Sequence, residues 1–175
     1  MKIVVTGCDG ALGRNICNIL LPDHTVMCLN EKDDNSVNNV IDLIGDYDVF
    51  INCGYKERVQ STLFEKVFTH WKYENKTIIN ILTSALVFDG PNKSYIENKR
   101  HLEKLTFDLR SGDKKVRVIN VYPNTLESRK SSPYDTLKLD DVSNTIKWVL
   151  SLPQEIEIFQ LGISKTTTDL GKTLL

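Results

Sequence analysis

No stretch of the chain approaches the ~18 consecutive apolar residues that a membrane-crossing helix needs, so no membrane span is expected. Excess charge is missing too: 22 Lys+Arg stand against 23 Asp+Glu, a net charge of -1. That balance argues against nucleic acid as a partner. Cysteine is sparse, and Cys8, Cys17, Cys28 and Cys53 follow no metal-ligand spacing. They read as reduced filler in strands, a helix and loop ends, with no metal site. Repeats, low-complexity segments and a second domain boundary are also lacking. The 175 residues therefore predict a single domain, 1–175, able to bury roughly 70% of its unfolded surface without cross-links. A first strand starting at residue 2 leaves no room for a leader, so a cytoplasmic location is expected.

What the chain does have is a short apolar strand that runs into three glycines, Lys2-Ile-Val-Val-Thr-Gly-Cys-Asp-Gly-Ala-Leu-Gly-Arg14. Gly7 can turn the chain sharply at positive φ, Gly10 lets backbone approach a bulky anion, and Gly13 lets the following helix press onto the strand. The free N-H groups at the helix start then face a phosphate. This is the pattern of a phosphate-cradling turn.

Downstream, Ala11 to Leu21 carries Leu12, Ile16, Ile19 and Leu20 on one helical stripe, and Thr25 to Leu29 reads as a second strand. About 20 residues after the glycines come Asn30, Glu31 and Lys32. An acidic residue there favours the ribose hydroxyls of NAD and a basic one the phosphate of NADP, so this mixture leaves both open. Val40 to Leu43 is expected as a short third strand with Asp42 at its end, then Val49 to Ile51 as a fourth. Val59 to Trp71 has Val59, Leu63, Val67 and Phe68 on one helical face. Thr77 to Leu82 is apolar on both faces, as a covered strand should be.

Thr83 to Gly90 reads as a loop, and Ser94 as the N-cap, with Glu97 its capping-box partner, of a helix to about Leu109. A strand Val116 to Val121, a polar span Asn124 to Lys138, a helix Asp140 to Leu150 and a last strand Glu155 to Ile163 complete the order. Alternating strands and helices predict an α/β fold with a doubly wound, mostly parallel sheet between two helical layers. Ligands bind such sheets at the carboxyl ends of the strands.

Four landmarks in order make the sequence similar to the short-chain dehydrogenase/reductase superfamily, over nearly the whole chain. Thr6-Gly7-x-x-Gly10-x-x-Gly13 resembles that family's glycine loop, Asp42 its adenine-pocket aspartate, and Asn52-Cys53-Gly54 its Asn-Ala-Gly turn. Ser84 with Tyr95-x-x-x-Lys99 resembles its catalytic serine and Tyr/Lys pair. Thr83 to Gly90 also resembles a stretch of dTDP-4-dehydrorhamnose reductases, and Leu139 to Gly162 the compact dehydrogenases. The resemblance implies a Rossmann fold that binds NAD or NADP through Gly7, Asp9, Gly10, Ala11, Leu12, Gly13, Asn30, Asp42, Leu43, Asn52, Cys53, Gly54, Lys99 and Pro123.

It also implies a catalytic set of Ser84, Tyr95 and Lys99, with Thr83 as the alternative hydroxyl. Tyr134 and Lys138 share the Tyr/Lys spacing, but Tyr134 follows Pro133 in a polar span, whereas Tyr95 begins a helix just after the strand leading to Ser84. Residues four apart share a helix face, and a positive charge ~4 Å from a phenol at an effective dielectric of ~20 is worth at most about 4 kcal/mol, or roughly 3 pK units. That brings a phenol toward working pH. The reading is an NAD(P)-dependent oxidoreductase acting on a small carbonyl or alcohol substrate. A nucleotide-sugar reductase or epimerase and a non-catalytic dinucleotide-binding sensor or regulator are the alternatives.

Departures accompany the likeness. No asparagine on the helix after Asn52-Cys53-Gly54 continues the family's proton relay, and Asn124 replaces a glycine after Pro123. The chain is short for the family, above all in its substrate-binding part. A homodimer or homotetramer through the helix carrying Tyr95 is implied, with Leu102, Leu105 and Phe107 compatible with such a surface.

Overall fold

The computed structural model describes residues 1–30, 33–88, 92–127 and 136–165. Glu31, Lys32, Gly90 and Tyr134 lie outside the described residues. In chain order the elements are β1 (Lys2–Thr6), α1 (Ala11–Leu20), β2 (Thr25–Leu29), α2 (Asp34–Asn38), α3 (Val40–Ile44), β3 (Val49–Asn52), α4 (Val59–Trp71), β4 (Thr77–Ile81), α5 (Ala85–Phe88), α6 (Lys93–Arg110), β5 (Arg117–Pro123), α7 (Leu139–Ser151) and β6 (Gln160–Ile163).

Six strands form one sheet in the order β2-β1-β3-β4-β5-β6, and every pairing is parallel. Side chains alternate across it. Ile3, Val5, Ile51, Ile79 and Val121 pack with Ile16 and Leu20 of α1 and Val142 and Ile146 of α7. Val4, Phe50, Ile78 and Val118 pack on the other face with Leu63, Phe64 and Trp71 of α4 and Leu102 of α6. Each such fully buried side chain contributes about 1.5–3 kcal/mol relative to exposure. The expected three-layer α/β/α fold is the one observed.

The expected strand at Val40 to Leu43 is instead helix α3. Val37, Val40 and Ile44 are buried at spacings of three and four, which is helical periodicity, and the Asp33 carboxylate caps α2 just before by accepting from the N-H groups of Asn35 and Ser36. The sheet therefore has six strands rather than seven, and β2 is left as its edge. Three further expectations are corrected locally, the first being the last strand, which begins at Gln160 rather than Glu155. The segment after Thr83 holds the short helix α5 rather than only loop. The cap of α6 is Asn92, whose side chain accepts from the Tyr95 N-H, so Ser94 lies inside the first turn.

Asparagine recurs at one level of the sheet. Asn52, Asn80 and Asn120 are all fully buried and in register across β3, β4 and β5. Asn52 Nδ2 donates to Asn80 Oδ1 at 3.0 Å, and Asn80 Nδ2 to Asn120 Oδ1 at 3.2 Å. The row ends at Tyr122 Oη, which accepts from Asn120 and donates to Glu103.

Candidate functional site

The glycine turn forms as expected at the carboxyl end of β1. Gly7 has φ +73°, and a Cβ there would stand 2.6 Å from Gly54 Cα, so the turn packs directly on the end of β3. A Cβ on Gly13 would collide with the Gly7 carbonyl, which is how closely α1 sits on the turn. Thr6 Oγ1 accepts from the Gly54 N-H at 2.8 Å and holds the two strand ends together. The cap residue of α1, Gly10, offers no side chain to the helix start, and the first turn carries no acidic residue. These are the features an anion needs in order to approach N-H groups at a helix start.

One strand away, at the end of β3, Asn52-Cys53-Gly54 separates into two roles. Gly54 meets the glycine turn, whereas the Asn52 side chain turns into the core, where Nδ2 also donates to the Gln60 carbonyl at 2.9 Å. Asn52 Oδ1 has no partner among the described residues.

Lys99 is 3% exposed, in the second turn of α6. Its Nζ donates to Gln60 Oε1 at 2.8 Å and to the Ile81 carbonyl at 2.6 Å, at the carboxyl end of β4. The same Nζ lies 5.5 Å from the ring centroid of Tyr95 and 5.8 Å from that of Tyr55. The two tyrosine rings meet edge to face, with centroids 4.8 Å apart. Burial pulls the ammonium down to about 8, with Cys53 opposing that shift. Lys99 and Tyr95 thus come together as their spacing predicts, with the ammonium over the ring.

Two residues of this cluster were not read from the sequence. Gln60, on α4, anchors Lys99 and with Nε2 donates to the carbonyls of Asn52 and Ile81 at 2.7 and 3.1 Å. It lies on the helix that follows Asn52-Cys53-Gly54, which carries no asparagine. An isolated glutamine on the apolar face of a helix is the one signal that could have singled it out. Tyr55, one residue past Gly54, carried no spacing signal at all; its Oη accepts from Asn98 Nδ2 at 3.3 Å.

Ser84 follows β4 and its N-H donates to the Pro123 carbonyl, so Ser84 and Pro123 are neighbours. Its hydroxyl lies 3.2 Å from Asn124 Oδ1. Thr83 Oγ1 instead accepts from the Ala85 N-H at 3.3 Å, at the start of α5. The remaining predicted residues are more scattered. Asp9, Ala11 and Asn30 are exposed, and Leu12 is half-buried. Asp42 does not end a strand: it is exposed on α3 beside Leu43, because the third strand is absent. Leu102 is wholly inside the core and Leu105 packs against it, so of the three residues suggested for a subunit contact Phe107 alone is exposed. A shallow hollow lined by Met1, Asp23, His24 and Asp48 lies at the opposite, amino end of the strands.

The cysteines depart from expectation. Cys8 and Cys28 form a disulfide, with Cα atoms 6.0 Å apart. Cys17 Sγ lies 3.4 Å from Cys8 Sγ and 3.7 Å from Cys28 Sγ. Parallel pairing of β1 with β2, which sets Val5 opposite Cys28, brings together residues 20 apart in sequence. Cys17 and Cys53 take no part in the disulfide.

No family model matches the sequence, and no curated protein matches it. Solved structures do. A serine dehydrogenase from Escherichia coli is 16% identical, covers 93% of this chain and 97% of its own, and superposes with a TM-score of 0.73. A short-chain dehydrogenase/reductase, glucose/ribitol dehydrogenase, from Brucella melitensis is 14% identical over 93% of this chain and 94% of its own, at 0.71. The 3-alpha-hydroxysteroid dehydrogenase from Pseudomonas sp. B-0831, complexed with NADH, is 14% identical over 93% and 94%, at 0.69. No described helix is long and apolar enough to cross a membrane. At these identities the likeness establishes architecture, and the chain has the parallel α/β fold of the short-chain dehydrogenases and reductases.

Proposed function

We propose that this chain is an NAD(P)-dependent oxidoreductase that interconverts a small carbonyl compound and its alcohol. The observation that carries the reading is the buried Lys99 ammonium held against Tyr95, at the same end of the sheet as the glycine turn. A buried cation needs a reason to be there, since burial without full pairing costs free energy. Placing a charge beside a phenol that must work as an acid and base is such a reason.

The glycine turn fits a dinucleotide pyrophosphate, with N-H groups at the start of α1 as donors and the bare flank of Gly10 as the surface of approach. The dinucleotide supplies the hydride acceptor or donor. Tyr95 moves the proton at the substrate oxygen, giving it to an alkoxide in reduction and taking it from an alcohol in oxidation. Lys99 favours the phenolate electrostatically, and Gln60 fixes Nζ in place. Ser84 turns its hydroxyl from Asn124 toward the reacting oxygen and donates to it, with Thr83 the alternative donor.

Titration with NADH and NADPH by fluorescence, followed by a screen of aldehydes, ketones and secondary alcohols, tests this. Expected are binding of at least one cofactor, turnover of some carbonyl, and loss of that turnover in Tyr95→Phe with cofactor affinity retained. Binding by the wild type with no turnover across the screen would favour a dinucleotide-binding sensor. Absence of binding would overturn both.

A further inference from the structure

Three of the four cysteines meet in one place, although nothing in the chemistry proposed above uses them. Cys8 lies in the glycine turn between Gly7 and Asp9, Cys17 on the inner face of α1, and Cys28 near the carboxyl end of β2. Their exposure is graded. Cys28 is exposed on the edge strand, Cys8 is half-buried, and Cys17 is 6% exposed. Thiol-disulfide exchange requires a thiolate that the incoming disulfide can reach, followed by a second thiol close enough to displace the first partner.

We propose that Cys8, Cys17 and Cys28 form a thiol-disulfide exchange site, in which Cys28 attacks a low-molecular-weight disulfide and Cys8 resolves the product. In the first step the Cys28 thiolate bonds to one sulfur of the small disulfide, its S-S bond breaks, and one small thiolate leaves. In the second the Cys8 thiolate bonds to Cys28 Sγ, the mixed disulfide breaks, and a second small thiolate leaves. The protein loses two electrons and two thiol protons, and the small disulfide gains both as two thiols. Exposure selects Cys28 for the first step. The observed pairing of Cys8 with Cys28 is the end point of the second.

Cys17 has a separate part. Its sulfur touches both partners, so it stands ready to exchange with either. Burial pushes its thiol up, which keeps it protonated and makes it the slow member. Cys8 Sγ lies 3.2 Å from the Val5 carbonyl oxygen. The bond links the glycine turn to the edge strand, so its state decides how firmly the turn is held there.

The test uses the whole chain, fully reduced, freed of reductant, and exposed to oxidised glutathione. Samples are quenched by alkylation at intervals and mapped by mass spectrometry without reduction. The wild type is expected to form the Cys8–Cys28 link and to release two glutathione thiols per chain. Cys8→Ser combined with Cys17→Ser is expected to accumulate glutathione on Cys28 as a stable mixed disulfide. Cys17→Ser alone should still form the Cys8–Cys28 link. Labelling of Cys8, Cys17 or Cys53 ahead of Cys28 would overturn the proposal, as would failure of the double variant, shown folded by circular dichroism, to hold glutathione on Cys28. Failure here is distinct from failure of the oxidoreductase reading, because no nucleotide is involved.

Discussion

The Lys99 ammonium donates to the side-chain oxygen of Gln60 at 2.8 Å, and both residues are buried. The contact joins α6 to α4, and it gives the cation one of two acceptors among the described residues, the other being the Ile81 carbonyl.

Replacing Gln60 with Leu removes the acceptor while keeping the volume apolar. The charged form of Lys99 then loses a partner, so its pKa should fall further below about 8, and the pH profile of turnover should shift to lower pH. A stability loss of about 1–3 kcal/mol is expected from the same change, since a hydrogen bond to a buried charge is lost. Denaturant unfolding and a pH-rate profile check the two halves separately.

A second expectation concerns stability and pH. Folding lowers the Lys99 pKa from 10.5 to about 8, so the unfolded chain binds more protons between those values. The cost of burying the charge is present in full below about 8 and is relieved as pH rises toward 10.5. The lowering is worth roughly 3 kcal/mol at 1.36 kcal/mol per pH unit. Relative to Lys99→Met, the wild type should therefore gain up to about this much between pH 7 and pH 10.5, as measured by urea unfolding at each pH.

The glycines of the turn should not be equivalent to glycine elsewhere. At Gly7 an alanine combines positive φ with a backbone collision against Gly54, and a loss of about 2 kcal/mol or more is expected. Gly162 has nothing within 4 Å of a built Cβ, so Gly162→Ala should stay within about 0.5 kcal/mol. Gly10→Ala meets one atom, the Gly7 carbonyl oxygen at 3.2 Å, and should fold while weakening NAD(P)H binding. Thermal unfolding and fluorescence titration distinguish the three.

Closing a loop with a sequence separation of 20 restricts the unfolded chain. Reduction of Cys8–Cys28 should then lower unfolding free energy by about 3 kcal/mol. Cys28→Ser combined with Cys17→Ser, which leaves Cys8 no neighbouring thiol to pair with, should show no response to reductant. Unfolding curves with and without a phosphine reductant decide it.

Much of this architecture was legible because the signals are local. Val59 to Trp71 is helical over the span its apolar face indicates, and the strand at Thr77 is covered on both sides as its composition suggests. Val40 to Leu43 reads as a strand yet is helical, because a short apolar run fits a strand and a buried helix equally, and the deciding signal, the Asp33 cap, lies outside the run. Lys99 near Tyr95 follows from helix spacing alone. Gln60 does not, because its partners come from β3, β4 and α6 and meet only through the order of the strands. The disulfide belongs to the same class: Cys8 and Cys28 become neighbours through pairing of β1 with β2.

The row of asparagines bears on which of several near-equivalent sheets is made. The central strands read Val-Phe-Ile-Asn, Thr-Ile-Ile-Asn-Ile and Arg-Val-Ile-Asn-Val-Tyr-Pro, and a slide of two residues between them would leave every side chain on its proper face. Isoleucine and valine would hardly distinguish the slipped sheet from the correct one. The amides would: Asn80 would stand beside Val118 or Tyr122 instead of Asn120, and a buried amide without its partner costs about 1–3 kcal/mol. Asparagine at one level of three adjacent strands thus works as a key that only one alignment accepts, and that alignment is the one that sets the ends of β3, β4 and β5 beneath Gly54, Ser84 and Asn124.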